Sequence, residues 1–210
     1  LRPQIAKSFE LGYKYSSNSL SYELAAFRID LNDELIPYEL EAFPGRQFFS
    51  NAGSSTRDGV EAAFTWRNQA GLILNGSYTW SDFVFNQFMA DDGQNFNNKY
   101  LPGVPKRFGY LGATYKNEKG FSGTFEVFYS GRLYANNSNS VSISSYKLAN
   151  IRLSKELRFG RRVIRPYLGL NNIFNEKYNS NIRINAWGGR YYEPAPERNI
   201  YIGIMANFIY

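Results

Sequence analysis

Apolar residues recur at every second position in one segment of this chain after another. The clearest example is "VEAAFTWR", residues 60–67, in which Val, Ala, Phe and Trp alternate with Glu, Ala, Thr and Arg. A β-strand turns successive side chains to opposite faces, so this pattern puts apolar groups on one face and mostly polar groups on the other. Helical periodicity is almost absent, and the sequence therefore predicts an all-β protein.

Short and long connections alternate strictly between these segments. Four short polar turns, "SSNS", "NQAG", "NEKG" and "FGRR", are separated by connections that are longer and differ in length. The segments run about ten residues or more, which is the length that a tilted strand needs to cross a bilayer. Soluble sandwiches rarely keep this asymmetry, whereas outer-membrane barrels have short turns on one side and longer loops on the other. The pattern predicts an antiparallel transmembrane β-barrel.

The number of strands depends on residues 47–67. The count is nine if this segment forms one strand and ten if it breaks near Asn51–Gly53. With nine, the first strand starts at the long-loop end and the last strand ends at the short-turn end, so an antiparallel barrel cannot close. Open edges in lipid would leave backbone groups unpaired. We therefore expect residues 1–210 to be the carboxy-terminal part of a larger barrel.

Two local features of the chain interrupt the alternation. The segment "LSYELAAFRIDL" slips phase near Ala25–Ala26, which predicts a β-bulge there. The following segment, "LNDELIPYELEAFPG", contains Pro37 and Pro44 and is predicted to be a long connection between strands.

The composition argues against catalysis. The chain has no histidine and no cysteine, which removes the commonest general base and the thiolate ligands of metal sites. Glu10, Glu61 and Glu126 fall on the polar faces of separate strands, where a wet lumen would accept them. Asp91 and Asp92 could hold a calcium ion, but a solvated loop tip is the favoured interpretation. We expect no enzymatic activity, no metal site and no cofactor.

Charge and aromatic content favour a membrane surface over nucleic acid. The net charge is +6, but the basic residues are scattered rather than gathered in one stripe. The aromatic share of 18% suits a surface that is partly apolar and partly wet. No apolar stretch approaches the ~20 residues of a membrane helix, and "LRPQIAKSFE" lacks the pattern of a signal peptide.

Several longer sequence motifs occur in a recognisable order: "SFELGYK", "AAFRIDLNDELIPY", "NAGSSTRDGVEAAF", "LPGVPKRFGYLGATY", "LGLNNIFNEKY" and "RYYEPAPERNIYIGI". Together they resemble the second half of a TonB-dependent outer-membrane receptor of the siderophore or iron-complex type, over essentially all 210 residues. The resemblance implies a 22-stranded barrel with an amino-terminal plug in its lumen, the plug and the signal peptide lying outside this stretch. It also implies a place in the bacterial outer membrane, with the lipid bilayer, the TonB protein acting through the plug, and a nutrient chelate as partners.

The resemblance implies a cargo class. An iron chelate, of the siderophore or ferric citrate type, is the leading candidate, and cobalamin or a copper complex comes next. Haem is disfavoured because this stretch offers no histidine. Two other classes stay open: a complete small barrel of ten strands that serves as a pore or adhesin, and a soluble β-rich module with tyrosine-lined loops.

The connection 175–197 carries the candidate ligand-binding residues. The planar guanidinium group of arginine donates paired hydrogen bonds to carboxylate or catecholate oxygens, and Trp or Tyr rings stack on aromatic ligands. The candidates are Arg183, Trp187, Arg190, Tyr191 and Tyr192. The alternative, which the residues alone favour, is that the aromatics belong to an interfacial girdle and the arginines contact anionic lipid headgroups.

The last segment, "NIYIGIMANFIY", has apolar residues at alternate positions up to the last residue. It resembles the signal by which the barrel-assembly machinery recognises its clients. The residues that the resemblance assigns to this signal are Ile200, Ile202, Ile204, Phe208 and Tyr210. A lipid-facing last strand is the simpler interpretation, and both can hold together.

Overall fold

The computed structural model describes residues 1–51, 53–90 and 93–208. These residues form β-strands joined by turns and loops, together with one turn of 3-10 helix at Trp187–Gly189. Nowhere in these ranges is there a helix long and apolar enough to cross a lipid bilayer.

Sixteen strands are described, many of them as long as the sequence predicts. In chain order they are β1 (Ile5–Ser16), β2 (Leu20–Asn32), β3 (Leu35–Glu39), β4 (Gln47–Asn51), β5 (Ser54–Arg67), β6 (Leu72–Gln87), β7 (Arg107–Lys116), β8 (Phe121–Ser130), β9 (Leu133–Tyr134), β10 (Ser142–Ile143), β11 (Tyr146–Lys155), β12 (Leu157–Phe159), β13 (Arg162–Asn171), β14 (Asn179–Ile182), β15 (Tyr192–Pro194) and β16 (Asn199–Phe208).

One large antiparallel sheet forms a wall. Its order is β1, β2, β5, β6, β7, β8, β11, β13 and β16, so each wall strand pairs with the next wall strand along the chain. The short β12 continues β11 in the same register against β13, and the two together form one strand interrupted at Glu156. The wall therefore has nine strands, as the sequence predicts, and β1 and β16 form its two edges in the described residues.

Residues 47–67 form two strands rather than one. β5 belongs to the wall, but β4 pairs with β3 in a separate two-stranded hairpin at the long-loop end. The predicted connection after β2 thus contains a strand of its own, with Pro37 in it. A two-stranded ribbon has two edges, so a proline is accepted there without loss of a ladder hydrogen bond. The break near Asn51 adds no tenth strand to the wall.

The bulge predicted near Ala25–Ala26 is wrong. Pairing runs without a shift from β1 through β2 to β5 across these residues. The slip in the sequence arises because Phe27 is apolar yet lies on the polar face. Its ring fills the space over Gly59, where a Cβ would come within 2.2 Å of the ring. The neighbouring glycine accommodates the aromatic ring, so the strand needs no extra residue.

The wall has one apolar face and one polar face. Residues paired directly across antiparallel strands share a face, and Leu111 pairs with Val127, which pairs with Ala149. Such pairs cover one face from edge to edge, and Leu111 is 52% and Ile202 82% exposed. A soluble monomer rarely exposes so large an apolar surface, whereas lipid would cover it.

The opposite, polar face carries hydroxyl, amide and carboxylate groups that bond to one another. The Thr114 and Thr124 hydroxyls lie 3.2 Å apart, and the Tyr110 hydroxyl donates to Glu126 at 2.9 Å. Glu10 and Glu61 lie on this face too, as the sequence predicts.

Short turns close the wall at one end only, as the loop pattern predicts. Two of them share one design, Asn-x-x-Gly, at Asn68–Gly71 and Asn117–Gly120. In each the asparagine Oδ1 accepts the backbone N–H four residues on, at 2.9 Å, and the glycine has a positive φ, of 86° and 80°. Strict alternation then puts all four long connections at the opposite end.

Replacement of Leu111 by arginine tests whether the apolar face meets lipid. A charge at the centre of a lipid-facing strand should cost about 2–4 kcal/mol of unfolding free energy. The matched control is Ser77→Arg, on the exposed polar face at the centre of β6, which should cost less than about 1 kcal/mol. Urea unfolding in lipid vesicles measures both, and equal costs would contradict the lipid assignment.

Candidate ligand-binding site

The four long connections pack onto one another at one end of the wall. We name them L1 (33–53), L2 (88–106), L3 (131–145) and L4 (172–198). One apolar cluster joins the L1 hairpin to L2, and its buried members are Ile36, Phe85, Phe88, Phe96 and Leu101. A second joins L3 to L4 and centres on Leu133, Ala135 and Ile143, with Ile182 and Tyr191 packed against them. β6 places Phe85 on the polar face, so L1 and L2 fold towards that side.

Asn185 of L4 holds L1 and L3 through a single amide group. Its Nδ2 donates to the Pro37 carbonyl at 2.9 Å and to Asn137 Oδ1 at 3.1 Å. Its Oδ1 accepts the Asn137 backbone N–H at 2.9 Å, and its own N–H donates to the Ala135 carbonyl. Asn185 has a φ of 53°, a left-handed conformation that asparagine tolerates better than most residues.

L2 and L3 are linked in the same way by Asn139. Its Oδ1 accepts the Tyr100 N–H at 2.8 Å and its Nδ2 donates to the Tyr100 carbonyl at 2.9 Å. The rings of Tyr100 and Tyr134 stack with centroids 5.9 Å apart. The Gly103 N–H also donates to the Tyr134 carbonyl. Side-chain amides thus join four connections that are far apart in sequence into one cap.

A cavity of about 520 Å³ opens among all four connections. This volume lies within the usual range of small-molecule sites. Representative lining residues are Tyr38, Phe88, Phe96, Asn137, Asn185 and Tyr191. None of the described residues that line it carries a charge. Aromatic faces and amide groups suit a ligand that offers rings and hydrogen-bonding oxygens rather than a single strong charge.

Of the five residues predicted to bind ligand, Tyr191 lines this cavity and also packs against the L3–L4 cluster. Trp187 lies in the 3-10 turn and is 40% exposed, away from the cavity lining. Arg190 and Tyr192 are exposed beside it. The turn reverses through Gly188 and Gly189, as expected of a tight turn, both with positive φ.

The remaining candidate, Arg183, is engaged with Glu193 across the β14–β15 hairpin. Its Nε lies 3.1 Å from Glu193 Oε1, and Asn181 donates to the other oxygen at 3.0 Å. The Asn181 and Arg183 hydrogen bonds hold the pKa of Glu193 below its ordinary value. Glu193 therefore already neutralises Arg183 at neutral pH.

The sequence reasoning missed most of the cavity. Tyr38 stood in a segment interpreted as a plain connection, and Asn185 lies within 175–197 but was not among its candidates; the contact of Asn185 with Pro37 spans 148 residues. The one available signal was the concentration of Asn and Ser in "ANNSNS". Asp91, Asp92 and Tyr210 lie outside the described residues, and within the described ranges no group of three acidic side chains is placed to hold a metal ion.

An antiparallel wall with one continuous apolar face and packed loops at one end defines the wall of a transmembrane β-barrel. Residues 1–173 match the family described as TonB dependent receptor-like, beta-barrel. The chain belongs to this family.

Relatives and solved structures agree with that placement. The chain is 24% identical over 186 residues to the probable TonB-dependent siderophore receptor PiuA of Acinetobacter baumannii, which covers 84% of this chain and 24% of that protein. The ferric citrate transporter FecA superposes with a TM-score of 0.78 at 18% identity, over 96% of this chain and 31% of FecA. The copper transporter OprC superposes with a TM-score of 0.76 at 13% identity, over 100% of this chain and 32% of OprC. The chain thus spans less than a third of the length of these proteins.

Replacement of Asn185 by alanine should loosen the cap. It removes three side-chain hydrogen bonds from partly buried groups, for a local cost of about 1–3 kcal/mol. Hydrogen exchange at L1 and L3 amides should then accelerate by tenfold or more. Asn98→Ala is the matched control, because Asn98 has a similar φ of 59° but its side chain makes no described hydrogen bond. If both variants accelerate exchange equally, backbone strain alone explains the effect.

Proposed function

We propose that this chain is the loop-bearing portion of an outer-membrane receptor that takes up an iron chelate with energy delivered through TonB. The observation that carries the proposal is the cavity in the cap, because it is formed jointly by L1, L2, L3 and L4. A site built from amide-linked loops is preorganised, so little ordering entropy is lost when a ligand binds. Family membership supports the transport class and argues against an enzyme.

The cavity chemistry favours a chelate over a bare metal ion. A transition-metal ion would be held by imidazole, thiolate or thioether groups, and the whole chain has no His, no Cys and two Met. A ferric chelate already satisfies its metal and presents rings and oxygens to the protein. Tyr38, Tyr191 and the lining amides are suited to those groups. A copper complex is the second candidate, because the copper transporter OprC shares the fold, and cobalamin stays beside it only as the family resemblance implies.

The open edges of the wall support a larger barrel. β1 and β16 both run from the long-loop end to the short-turn end, so they could meet only as a parallel pair. We propose that residues 1–210 form the carboxy-terminal portion of a 22-stranded barrel in the outer membrane, whose other strands pair with these edges. The polar face would then meet water and a plug domain, on which TonB acts.

Tyr38→Ala and Tyr191→Ala in the full-length receptor should each weaken binding of the ferric chelate about tenfold, because each removes a ring from the cavity wall. Trp187→Ala is the control, since Trp187 lies outside the cavity lining, and it should leave affinity unchanged. Binding is measured for catecholate, hydroxamate and citrate chelates, alongside growth of a deletion strain on each as sole iron source. If the deletion strain instead loses growth that depends on copper or cobalamin while its iron uptake is intact, the cargo would be the second candidate.

We also propose that β16 carries the recognition signal for the barrel-assembly machinery. Ile200, Ile202 and Ile204 are 73%, 82% and 72% exposed on the apolar face of an edge strand. The pairing of β16 with β13 continues to Phe208.

Deletion of Tyr210 should lower the amount of assembled receptor in the membrane, because the apolar pattern would lose its aromatic end. Tyr210→Phe keeps the ring and should restore the amount. Heat-modifiable migration on a gel quantifies the folded barrel, and unchanged levels after the deletion would count against the signal role.

A further inference from the structure

A group of cations at the loop end of the wall has no part in the proposed cargo site, and the register places two of them, Arg107 and Lys147, on the apolar face. Lys106, Arg107, Arg132 and Lys147 lie at the loop end of β7, β8 and β11, and all four are exposed. Arg107 pairs with Trp80, and Trp80 pairs with Val60 of the apolar face. Lys147 pairs with Tyr129, which shares that face.

Tyrosines hold these cations in place. Lys106 Nζ donates to the Tyr100 hydroxyl at 3.0 Å and lies 4.7 Å from the Tyr100 ring centroid. Arg132 Nη2 donates to the Tyr134 hydroxyl at 3.0 Å, with its guanidinium 5.3 Å from that ring. We call the four cations, with Tyr100, Tyr129 and Tyr134, the cation–tyrosine patch.

The patch surrounds a recess of about 350 Å³. Lys106, Arg107 and Arg132 line its mouth together with the three tyrosines, and Phe83, Leu101 and Leu133 line its inner, apolar part. Arg107 begins β7 and Arg132 follows β8, and the two segments are adjacent because the Gly131 N–H donates to the Arg107 carbonyl. Donor groups from two neighbouring elements therefore converge on one opening.

Positive charge in the patch exceeds negative charge. Its one carboxylate neighbour within ion-pair distance in the described residues is Asp82, 2.9 Å from Lys106 Nζ. The Tyr100 and Asp82 hydrogen bonds raise the pKa of Lys106, so it keeps its charge. Arg107, Arg132 and Lys147 make no ion pair within those residues. A different part of the same rim is balanced, because Arg28 lies 3.5 Å from Asp30 and 3.8 Å from Asp58.

Apolar side chains continue the same face directly below the patch. Val127 is the next residue after Tyr129 on this face of β8 and pairs with Leu111 of β7, and Phe125, which pairs with Ile151, follows it. A ligand held by the patch would therefore have one end at the cations and the other end along the apolar face.

We propose that the cation–tyrosine patch binds the phosphate-bearing headgroup of a membrane lipid whose acyl chains lie on the apolar face. Arginine presents a planar fork that matches phosphate oxygens, and tyrosine favours the boundary between headgroups and hydrocarbon. The chemistry requires an anionic amphiphile, because the same molecule must satisfy both the cations and the apolar band. This inference rests on the proposed membrane location, but not on any particular cargo.

The test uses the full-length receptor in detergent and two fluorescent probes, lipid A with both phosphates and lipid A without them. The triple variant Lys106→Gln, Arg107→Gln, Arg132→Gln should bind the phosphorylated probe about a hundredfold more weakly. Arg107→Gln alone should bind it about fivefold more weakly. Arg28→Gln, which removes a balanced cation from the same rim, should leave affinity unchanged.

Three results would overturn the proposal. Equal binding of both probes, or equal binding by the triple variant and the native receptor, would each leave only apolar adsorption. Displacement of the probe by inorganic phosphate at comparable concentration would make the site one for a free anion. Gel migration shows whether each variant folds. If the triple variant does not fold, the affinity of Arg107→Gln for the phosphorylated probe tests the proposal, and unchanged affinity would overturn it. Retained cargo binding in these variants separates failure of this inference from failure of the transport proposal.

Discussion

Continuous backbone pairing across the wall is the constraint on which the rest of the structure depends. Side chains alternate with a period of two, so a slip of one residue would move every apolar group of a strand to the other face. The register runs unshifted across most strand pairs, and the described irregularities lie near the ends of the wall, at Ser54–Ser55 and Glu156. The apolar face is continuous for that reason, and an apolar face without gaps is what a bilayer requires.

The wall was predictable because its signal is local. Alternation, polar turns and strand length can each be recognised within ten to fifteen residues, and they gave the nine strands and the one-sided loops. The β3–β4 hairpin was missed because its five-residue strands are too short for alternation to stand out and because Pro37 argues against a strand. The phase slip at Ala25–Ala26 misled because the glycine that accommodates Phe27 belongs to a different strand, and its position across the pair becomes visible only with the register.

The cap was less predictable because long-range contacts build it. Asn185 and Pro37 are 148 residues apart, and no local sequence pattern predicts that one side-chain amide will bond to two distant loops. Asn139 and Asn185 adopt left-handed backbones, and the side chain of each bonds to other connections. Arg183 was predicted to bind ligand from its residue type alone, but it already forms an ion pair with Glu193. A residue type indicates the chemistry that it can perform, whereas its neighbours decide whether that chemistry is still available.

The cargo cavity and the recess of the cation–tyrosine patch share two connections, L2 and L3. In L2, Leu101 lines the recess beside Tyr100 and also packs in the apolar cluster with Phe88 and Phe96, which line the cavity. In L3, Leu133 lines the recess beside Tyr134 and packs in the cluster that includes Tyr191, which also lines the cavity. Each leucine therefore contacts the recess on one side and supports the cavity through its cluster on the other. A lipid headgroup seated in the patch would therefore restrain the two connections that bound the cargo site, without touching the cargo.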